Sequence, residues 1–250
     1  MDMVRLVEAY SLNAWPAAQT IVYEGWLMRL NQGYTKRANC MCPMYGHWND
    51  EQLSTIVQYG ESVYKALNLP AVVKVTPIAP GILDTLLEAR GYEKVDPSLV
   101  MTLHSLEELS IPSVATVDMD YCIQDDWLHT YASFTNLSSQ HLPAAQRLLQ
   151  AIPFKKAFMR LRQDGHIVAC GLAVIEGETV GLYDVAVHPE HRRQGCGEQL
   201  VLHLLHWARA EGAARSYLQV VQGNKAANRL YRKFGYREMY PYWYRVKSLE

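Results

Sequence analysis

The chain has 250 residues, enough for one large domain or two small ones, because single domains usually contain roughly 100–200 residues. Its 24 Lys and Arg residues nearly balance its 25 Asp and Glu residues, and the formal net charge of −1 argues against binding nucleic acid through bulk positive charge. Apolar residues make up 49% of the chain and charged residues 20%, which excludes a disordered chain and predicts a globular protein with a large core.

The apolar stretches and the cysteines indicate neither a membrane segment nor a metal site. No stretch approaches the roughly 20 uncharged apolar residues of a membrane-spanning helix, and the opening MDMVRLVEAY lacks the apolar segment of a signal peptide. Four of the five cysteines lie in or beside apolar runs, as buried reduced thiols do, and the Cys40-Met41-Cys42 spacing is not that of the usual zinc knuckle. We therefore expect a cytoplasmic protein that binds no membrane, no nucleic acid and no metal.

The first half of the chain is predicted to alternate strands and helices. Its predicted elements are strands over 24–31 and 34–42, a helix over 51–67, a strand over 71–76, a helix over 81–89 and a strand over 95–103. Gly33 is the expected turn between the first two strands, Asn49 the expected helix cap, and Gly91 the expected left-handed residue after the second helix. Residues 105–118 contain a proline and weak periodicity, and they are predicted to be a linker.

The second half follows a similar order of elements. They are helices over 125–134 and 141–152, strands over 156–162, 167–175 and 180–187, a helix over 198–211, a strand over 216–221, a helix over 226–233 and a strand over 237–247. The pairs Asp164-Gly165 and Glu176-Gly177 are the expected hairpin turns.

Two segments of the chain share a short pattern that suggests an internal repeat. Each has a helix followed by Gly-Tyr, and a proline six residues after that glycine: Gly91 and Pro97 in the first half, Gly235 and Pro241 in the second. The order strand, strand, helix, strand, helix, strand recurs around both segments, so a duplication is favoured over chance. We expect two related α/β lobes.

The strongest local signal is the segment VAVHPEHRRQGCG over 185–197, which joins a predicted strand to an amphipathic helix. Glycines between a strand and a helix N-terminus allow several backbone N–H groups to face one anion, and the helix dipole adds positive potential. Arg192 and Arg193 can add charge-assisted contacts to phosphate oxygens. The segment lacks Gly-Lys-Ser/Thr and is not Gly-x-Gly-x-x-Gly, which excludes the nucleotide triphosphatase loop and disfavours a dinucleotide site. The alternative is a glycine-rich turn that only connects the two elements.

This segment resembles the acetyl-CoA loop of the GCN5-related N-acetyltransferase (GNAT) family, Gln/Arg-x-x-Gly-x-Gly/Ala. A second segment, NKAANRLYRKFGY over 224–236, resembles the family's Asn-x-x-Ala-x-x-Leu-Tyr-x-x-x-Gly-Phe/Tyr motif. The resemblance covers roughly residues 118–247. The first half resembles the family only in the order of its elements. With the internal repeat, the resemblance implies an α/β fold of two GNAT-like lobes, each a mixed, mostly antiparallel twisted sheet flanked by helices. We expect a degenerate lobe over 1–104 and a catalytic lobe over 119–250.

The resemblance also implies which residues bind acetyl-CoA as co-substrate. The strand residues Val185, Ala186 and Val187 would pair with the pantetheine arm, and Asn224 would contact its pantetheine side. The residues implied around the pyrophosphate are Arg192, Arg193, Gln194, Gly195, Cys196, Gly197 and Glu198.

The same resemblance places Tyr231 near the thioester sulfur, where a phenol can donate to a departing thiolate. The general base is less well defined. Asp184 is the first candidate, because it can face the acceptor amine, although an edge carboxylate that holds a neighbouring strand remains the alternative. His188 and Glu190 are weaker candidates. His203 and His206 have a spacing that permits metal binding, but a solvated helix face is favoured.

The first lobe is not expected to bind coenzyme A or to catalyse. No Arg/Gln-x-x-Gly-x-Gly occurs before residue 118, and Leu87 occupies the position that matches Tyr231. We expect this lobe to form one wall of the acceptor cleft. The tyrosines at 240, 242 and 244 share a strand face and are expected to be core rather than pocket wall.

The predicted function is acetyl transfer from acetyl-CoA to a primary amine of a small molecule, directly in a ternary complex. Two alternatives stay open: a non-catalytic acyl-CoA-binding module and a protein N-acetyltransferase. The near-zero net charge provides no steering toward lysine-rich tails, although charge can still be unevenly distributed.

Overall fold

The computed structural model describes residues 3–113 and 116–249. Residues 1, 2, 114, 115 and 250, which fall within the predicted first lobe, linker and catalytic lobe, lie outside the described residues. The chain divides into two compact units. Unit 1 comprises Met1–Val100, Val221–Gly223 and Met239–Glu250, and unit 2 comprises Met101–Val220 and Asn224–Glu238.

Unit 1 has helices on a mixed sheet. Its elements are α1 (Met3–Asn13), β1 (Gln19–Tyr23), β2 (Trp26–Leu30), β3 (Met41–Pro43), α2 (Asp50–Ala66), β4 (Ala71–Val75), α3 (Ile82–Ala89), most of β5 (Glu93–Leu103) and most of the strand Arg237–Lys247, which is β11 in chain order. Within this unit the strand order is β1-β2-β3-β4-β11-β5. The β3–β4 pair is parallel, and the pairs β1–β2, β2–β3 and β4–β11 are antiparallel.

The core of unit 1 is built from strand residues of one face and from the apolar stripe of α2. Leu53, Ile56 and Val57 recur at helical spacing and pack with Trp26 and Val73. Helix α2 begins as predicted. The Asn49 side chain accepts the backbone N–H of Gln52, and the Gln52 side chain accepts the backbone N–H of Asn49.

Gly33 lies in a turn between the antiparallel strands β2 and β3 with φ 75°, as predicted, but that connection is longer than a tight hairpin. A tight two-residue turn at Glu24 and Gly25 joins β1 to β2, and its φ angles of 47° and 76° suit the twist of antiparallel strands. It aligns Tyr23 with Trp26. The sequence analysis also missed α1 and β1.

The predicted strand over 34–42 was wrong. Only Met41–Pro43 is a strand, and Lys36–Ala38 forms a 3-10 turn. The buried Asn39 side chain accepts the backbone N–H groups of Asn31 and Gly33 and donates to the carbonyl groups of Tyr34 and Thr35. These four bonds replace the ladder that a second strand would have supplied.

Unit 2 has a five-stranded sheet with helices on both faces. Its elements are β6 (Val117–Asp120), α4 (Asp125–Thr135), α5 (Leu142–Gln150), β7 (Lys155–Gln163), β8 (His166–Glu176), β9 (Thr179–Val187), α6 (Cys196–Ala210), β10 (Arg215–Val221) and α7 (Lys225–Lys233). The strand order is β10-β9-β8-β7-β6; only the β9–β10 pair is parallel. Trp127 of α4 packs edge to face on Phe158, and Leu200 and Leu204 of α6 pack beside Gly171 of β8.

Both units combine mostly antiparallel strands with helices, which confirms the predicted fold class. The predicted linker includes residues that pack and pair: Leu106 is buried and donates its N–H to the carbonyl of Ala214, and β6 begins at Val117. Residues 239–250 group with unit 1, whereas the sequence-based boundaries assign them to the second lobe.

The repeated pattern has the same backbone conformation in both copies. Gly91 follows α3 with φ 82° and Gly235 follows α7 with φ 87°, and each leads into a strand. The adjacent tyrosines are buried. The expected burial of the three tyrosines on β11 is also confirmed. No described helix is long and apolar enough to cross a membrane.

Candidate functional site

The site in unit 2 begins where β9 separates from its parallel neighbour. The paired residues of β9 and β10 end at Leu182 and Leu218, although both strands continue beyond them. On its other side β9 stays paired with β8, and the register shifts between Tyr183 and Ala186. The last residues of β9 therefore present one backbone edge that β10 does not cover.

A β-bulge changes the direction of β9 at this point. Asp184 lies in the shifted segment with φ 49°, an unusual conformation for a residue other than glycine. Its side chain is half-buried, and its negative charge adds to burial in raising the pKa of the Cys170 thiol. The candidate base thus lies in the bulge, where β9 leaves β10.

The loop after β9 ends at an uncapped helix N-terminus. Gly195 precedes α6 with φ 85°, and no side chain there caps the helix. The first N–H groups of a helix have no partner within it, so those of residues 195–198 point out of α6. Such N–H groups and the helix dipole favour a bound anion, and anion binding at this helix N-terminus stays a prediction. The helix begins at Cys196, two residues earlier than predicted.

The predicted anion-binding side chains are exposed, and some of them support the loop. The Arg192 Nε donates to the carbonyl of Val187 over 3.3 Å, and the Gln194 side chain donates to the carbonyl of Glu190 over 2.8 Å. Arg193 is exposed with φ 62°. These bonds hold the loop in a turn while the guanidinium groups stay at the surface.

Glu198 places a carboxylate in the first turn of α6, but a lysine compensates its negative charge. Both of its oxygens accept from the Lys233 Nζ over 2.7 Å. This pair joins α7 to the start of α6 and reduces the repulsion that an anion would meet there. Sequence reasoning missed it, because the partners are 35 residues apart and no local pattern connects them.

The two valines of the predicted cofactor strand face the helices. A Cβ added at Gly171 would lie 3.4 Å from the Val185 side chain. A Cβ added at Gly197 would lie 3.3 Å from the Val187 side chain and 3.5 Å from the Leu230 side chain. Gly197 therefore allows α6 to approach β9 and α7 closely. Ala186 is buried and pairs with Cys170.

Cys196 behaves as a structural thiol. It is buried, its Sγ donates to the Gln163 side chain over 3.8 Å, and burial raises its pKa. Asn224 has a structural role as well, because its side chain accepts the N–H of Ala227 and its carbonyl accepts from Asn228. It is the N-cap of α7.

Tyr231 lies on α7, the helix that Lys233 joins to α6. Its side chain is buried, and burial raises its pKa to about 12. Its ring packs edge to face on Tyr236, with the centroids 5.8 Å apart, and the Tyr236 hydroxyl bonds the Ser216 hydroxyl. Tyr231 is therefore a protonated hydrogen-bond donor at every physiological pH.

His188 and Glu190, the weaker base candidates, lie in the loop directly after β9. The His188 Nδ1 accepts the N–H of Glu190, and its ring packs edge to face on Phe134 at 5.1 Å. Glu190 is exposed. His206 bonds the carbonyl of Ser110. In the described part of the chain, no group of three or more His, Cys, Asp or Glu side chains is arranged to hold a metal ion.

Sequence reasoning missed one further pair at this site. The hydroxyl groups of Tyr183 and Tyr217 bond each other next to the point where β9 and β10 separate, and both rings are buried. Gly181 leaves the space for these rings. No spacing rule relates positions on two parallel strands, so only the register could reveal this contact.

Comparisons with known proteins show the family of the chain. The family model described as "Probable histone acetyltransferase Rv0428c C-terminal" matches residues 2–245. The "Uncharacterized N-acetyltransferase YobR" of Bacillus subtilis is 29% identical over 99% of this chain and all of its own length. The "[Ribosomal protein bS18]-alanine N-acetyltransferase" of Escherichia coli K12 is 30% identical over 42% of this chain and 81% of its own length.

Solved structures share the fold. A GCN5-related N-acetyltransferase from Kribbella flavida superimposes with a TM-score of 0.77 at 15% identity, over all of this chain and 97% of its own. A tandem GNAT protein from the clavulanic acid biosynthesis pathway superimposes with a TM-score of 0.68 at 10% identity, over 98% of this chain and 88% of its own. The family model spans nearly the whole chain, so the chain belongs to this acetyltransferase family within the GNAT N-acetyltransferases.

Proposed function

We propose that the chain transfers an acetyl group directly from acetyl-CoA to a primary amine, with both substrates bound at the site in unit 2. The observation that carries the proposal is the placement of Tyr231. A buried, protonated phenol lies on a helix that an ion pair joins to an uncapped helix N-terminus, next to a strand with an open edge.

The residues present fit acetyl-CoA. The N–H groups of residues 193–198 supply donors for the pyrophosphate, and Arg192 and Arg193 supply positive charge. The open edge of Val185, Ala186 and Val187 offers backbone partners for the amides of the pantetheine arm, as a neighbouring strand would. Asn224 offers its remaining hydrogen-bonding capacity near that arm, besides capping α7.

The reaction requires a neutral amine and a stabilised thiolate. An alkylammonium with a pKa near 10 is only about one part in a thousand neutral at pH 7, so deprotonation is a real barrier. Asp184 accepts this proton, directly or through water. Tyr231 donates a hydrogen bond to the sulfur as the bond from the acetyl carbon to sulfur breaks, and the amine nitrogen takes the acetyl group.

Turnover tests the proposal. Release of free thiol from acetyl-CoA is followed with a panel of small primary amines and with a peptide that carries a free N-terminal alanine. We expect thiol release that depends on the amine, together with an acetylated product by mass spectrometry. Tight coenzyme A binding without thiol release for any amine would instead support a non-catalytic acyl-CoA-binding module.

The acceptor class follows from the same panel. A small-molecule amine is our first proposal, and a polypeptide amine is the second. The second is favoured by the similarity to the bS18-alanine N-acetyltransferase and to a family described as probable histone acetyltransferase. Preference for the alanine peptide by kcat/KM would decide for the polypeptide.

The role of Asp184 has a separate test. Asp184→Asn is expected to lower kcat/KM by about 100-fold at pH 7, because the amide accepts no proton. The loss should shrink as the pH approaches the pKa of the acceptor amine, near 10, because more of the acceptor is then already neutral. A loss that is equal at all pH values would show that Asp184 only supports the bulge.

Gly195 tests the anion site. Gly195 and Gly223 both have open space where a Cβ would be added, but only Gly195 has a positive φ, 85°. Gly195→Ala should therefore weaken coenzyme A binding by about 10-fold, because a left-handed alanine costs about 1–2 kcal/mol and relief of that strain moves the amides. Gly223→Ala should leave the affinity within about twofold. Calorimetric titration with coenzyme A measures both, and equal effects would contradict the assigned role of the loop.

We propose that residues 119–250 supply this chemistry and that the lobe over 1–104 binds no coenzyme A. Helix α2 follows β3 in unit 1 as α6 follows β9 in unit 2. The N-terminus of α2 is occupied by the Asn49 cap and carries Asp50 and Glu51 in its first turn. Those carboxylates repel a pyrophosphate, and the cap uses an amide that would otherwise bind it.

A further inference from the structure

A small open cavity of about 290 Å³ lies beside the β1–β2 turn of unit 1. It is lined by Tyr23, Glu24, Glu51, Gln52, Thr55 and Ile56. The Tyr23 ring stacks on that of Tyr59 with the centroids 4.2 Å apart, so an aromatic pair supports one wall. The cavity therefore combines an aromatic surface with two carboxylates.

The carboxylates of this cavity have no cationic partner among the described residues. Glu24 and Glu51 are exposed, and neither takes part in an ion pair of the described chain. No Lys or Arg is among the lining residues. Asp50 adds a third exposed carboxylate next to Glu51. Two negative groups beside aromatic rings favour an ammonium or guanidinium group.

The strand that leads into this cavity is an open sheet edge. β1 is the first strand in the sheet order and pairs with β2. Tyr23 and Trp26 close a two-residue turn, so alternate residues of β1, counted from Tyr23, form backbone hydrogen bonds with β2. The backbone N–H and C=O groups of Thr20 and Val22 therefore face outward. The strand QTIVY contains no charge and no proline, the usual protections of an edge, and Val22 is 71% exposed.

A basic segment fits this surface better than a second copy of the chain does. If the β1 strands of two copies paired antiparallel, the Tyr23 end of one strand, with its cavity, would lie beside the Gln19 end of the other. The residues there are Pro16, Ala17 and Ala18, which carry no positive charge, and the neighbouring Arg37 guanidinium is already packed over the Trp15 ring, 5.1 Å from its centroid. The carboxylates would remain unpaired in such a dimer, whereas an added strand with a cationic side chain pairs them.

We infer that the open edge of β1 and the cavity beside it bind an extended basic polypeptide segment. The segment adds as a strand to the outward backbone groups of Thr20 and Val22, and a cationic side chain enters the cavity between Glu24 and Glu51. Main-chain bonds supply affinity, and the cavity supplies selection for positive charge. Unit 1 is thereby a docking module for a polypeptide partner.

The probe is a seven-residue peptide, Arg-Thr-Val-Arg-Thr-Val-Arg, acetylated at its N-terminus, with fluorescein at its C-terminus. It contains no primary amine and cannot be acetylated, so its binding stays readable whether or not the proposed reaction occurs. Fluorescence anisotropy with the full chain measures binding. We expect saturable binding that weakens with added salt, and no binding of the same peptide with Glu in place of Arg.

Two kinds of variant locate the site. Glu24→Gln/Glu51→Gln should weaken binding by about 5- to 10-fold, and Glu107→Gln/Glu108→Gln, with the same change in net charge at exposed positions, by less than about twofold. Val22→Pro removes one outward N–H and should weaken binding by about fivefold, while Val22→Thr, which keeps it, should not.

Two results would overturn the inference. The first is wild-type affinity in both the double glutamine variant and Val22→Pro. The second is a concentration-dependent dimer in sedimentation that Val22→Pro dissociates, because the edge would then be occupied by a second copy of the chain.

Discussion

Tyr231→Phe is expected to lower kcat by about 100-fold while leaving the affinity for coenzyme A nearly unchanged. The phenol is buried and its pKa is raised to about 12, so it remains protonated throughout the working range. A phenol with this pKa is a weaker acid than a thiol with a pKa near 8.5. It therefore stabilises the developing thiolate by a charge-assisted hydrogen bond more than by complete proton transfer. Single-turnover and steady-state thiol release measure the loss.

The matched control is Tyr236→Phe. Tyr236 packs on Tyr231 and bonds Ser216, so the change removes a buried hydroxyl from the same ring pair without touching the reacting sulfur. It should cost stability of about 1–3 kcal/mol, because the Ser216 hydroxyl loses its partner, and leave kcat within a few-fold. Equal losses of kcat in both variants would contradict a catalytic role of Tyr231.

The direction of the pKa shift also sets the pH profile. Because the pKa of Tyr231 is raised, its donor form persists as the pH rises, and no loss of rate from its ionisation is expected below about pH 11. The wild-type rate should rise with pH as the acceptor amine loses its proton, near its pKa of about 10. Tyr231→Phe should have a profile of the same shape at a lower level. A wild-type decline near pH 9 that disappears in Tyr231→Phe would contradict this assignment.

The main features of the site could be predicted from local sequence. A strand followed by a glycine-rich loop and an amphipathic helix requires only neighbouring residues, so the uncapped N-terminus at Gly195 was predictable. The separation of β9 from β10 could be expected only through the family resemblance. The bulge at Asp184 could not be predicted, because it depends on the register between β8 and β9. The roles of Tyr231 and Asp184 stay predictions.

The error over residues 34–42 comes from buried side-chain hydrogen bonds that composition does not reveal. These residues have strand-like composition, but polar side chains four to eight residues away bond backbone groups in and beside the segment. Arg29 donates to the carbonyl groups of Arg37 and Leu12, and Asn39 bonds four backbone groups. Composition alone does not indicate such bonds, because the partners are brought together only when unit 1 folds.

A buried ion pair in unit 1 could not be predicted from the sequence either, and breaking it is expected to reduce the stability of unit 1 strongly. The Lys74 Nζ on β4 lies 2.7 Å from the Glu8 carboxylate on α1, and both side chains are about 1% exposed. Glu8 also accepts from the Tyr240 hydroxyl, and the Lys74 ammonium lies over the Tyr242 ring at 4.5 Å. The pair thus fixes α1 to β4 and β11, and its partners are 66 residues apart.

Lys74→Met is expected to destabilise unit 1 by about 3–5 kcal/mol, because it leaves the Glu8 carboxylate buried without a cation. Glu8→Leu/Lys74→Met should recover most of that loss, since an apolar pair needs no compensation. Hydrogen exchange followed by mass spectrometry measures both changes locally, in peptides from α1 and β4, with peptides from α6 in unit 2 as the internal reference. A double variant as unstable as Lys74→Met would contradict this account.

The pH dependence gives an independent check on the pair. Burial is the largest single influence and lowers the pKa of Lys74, but the Glu8 carboxylate, Tyr242 and Cys42 together outweigh burial, so the pKa is raised above its ordinary value of 10.5. A lysine with a raised pKa contributes its stabilisation fully below the pKa of the unfolded chain and loses it as the pH rises through the folded value. Protection of α1 should therefore be constant from about pH 6 to pH 9 and decline only above about pH 10. In Glu8→Leu/Lys74→Met the decline that this pair contributes should be absent, which separates the ion pair from the general loss of stability at high pH.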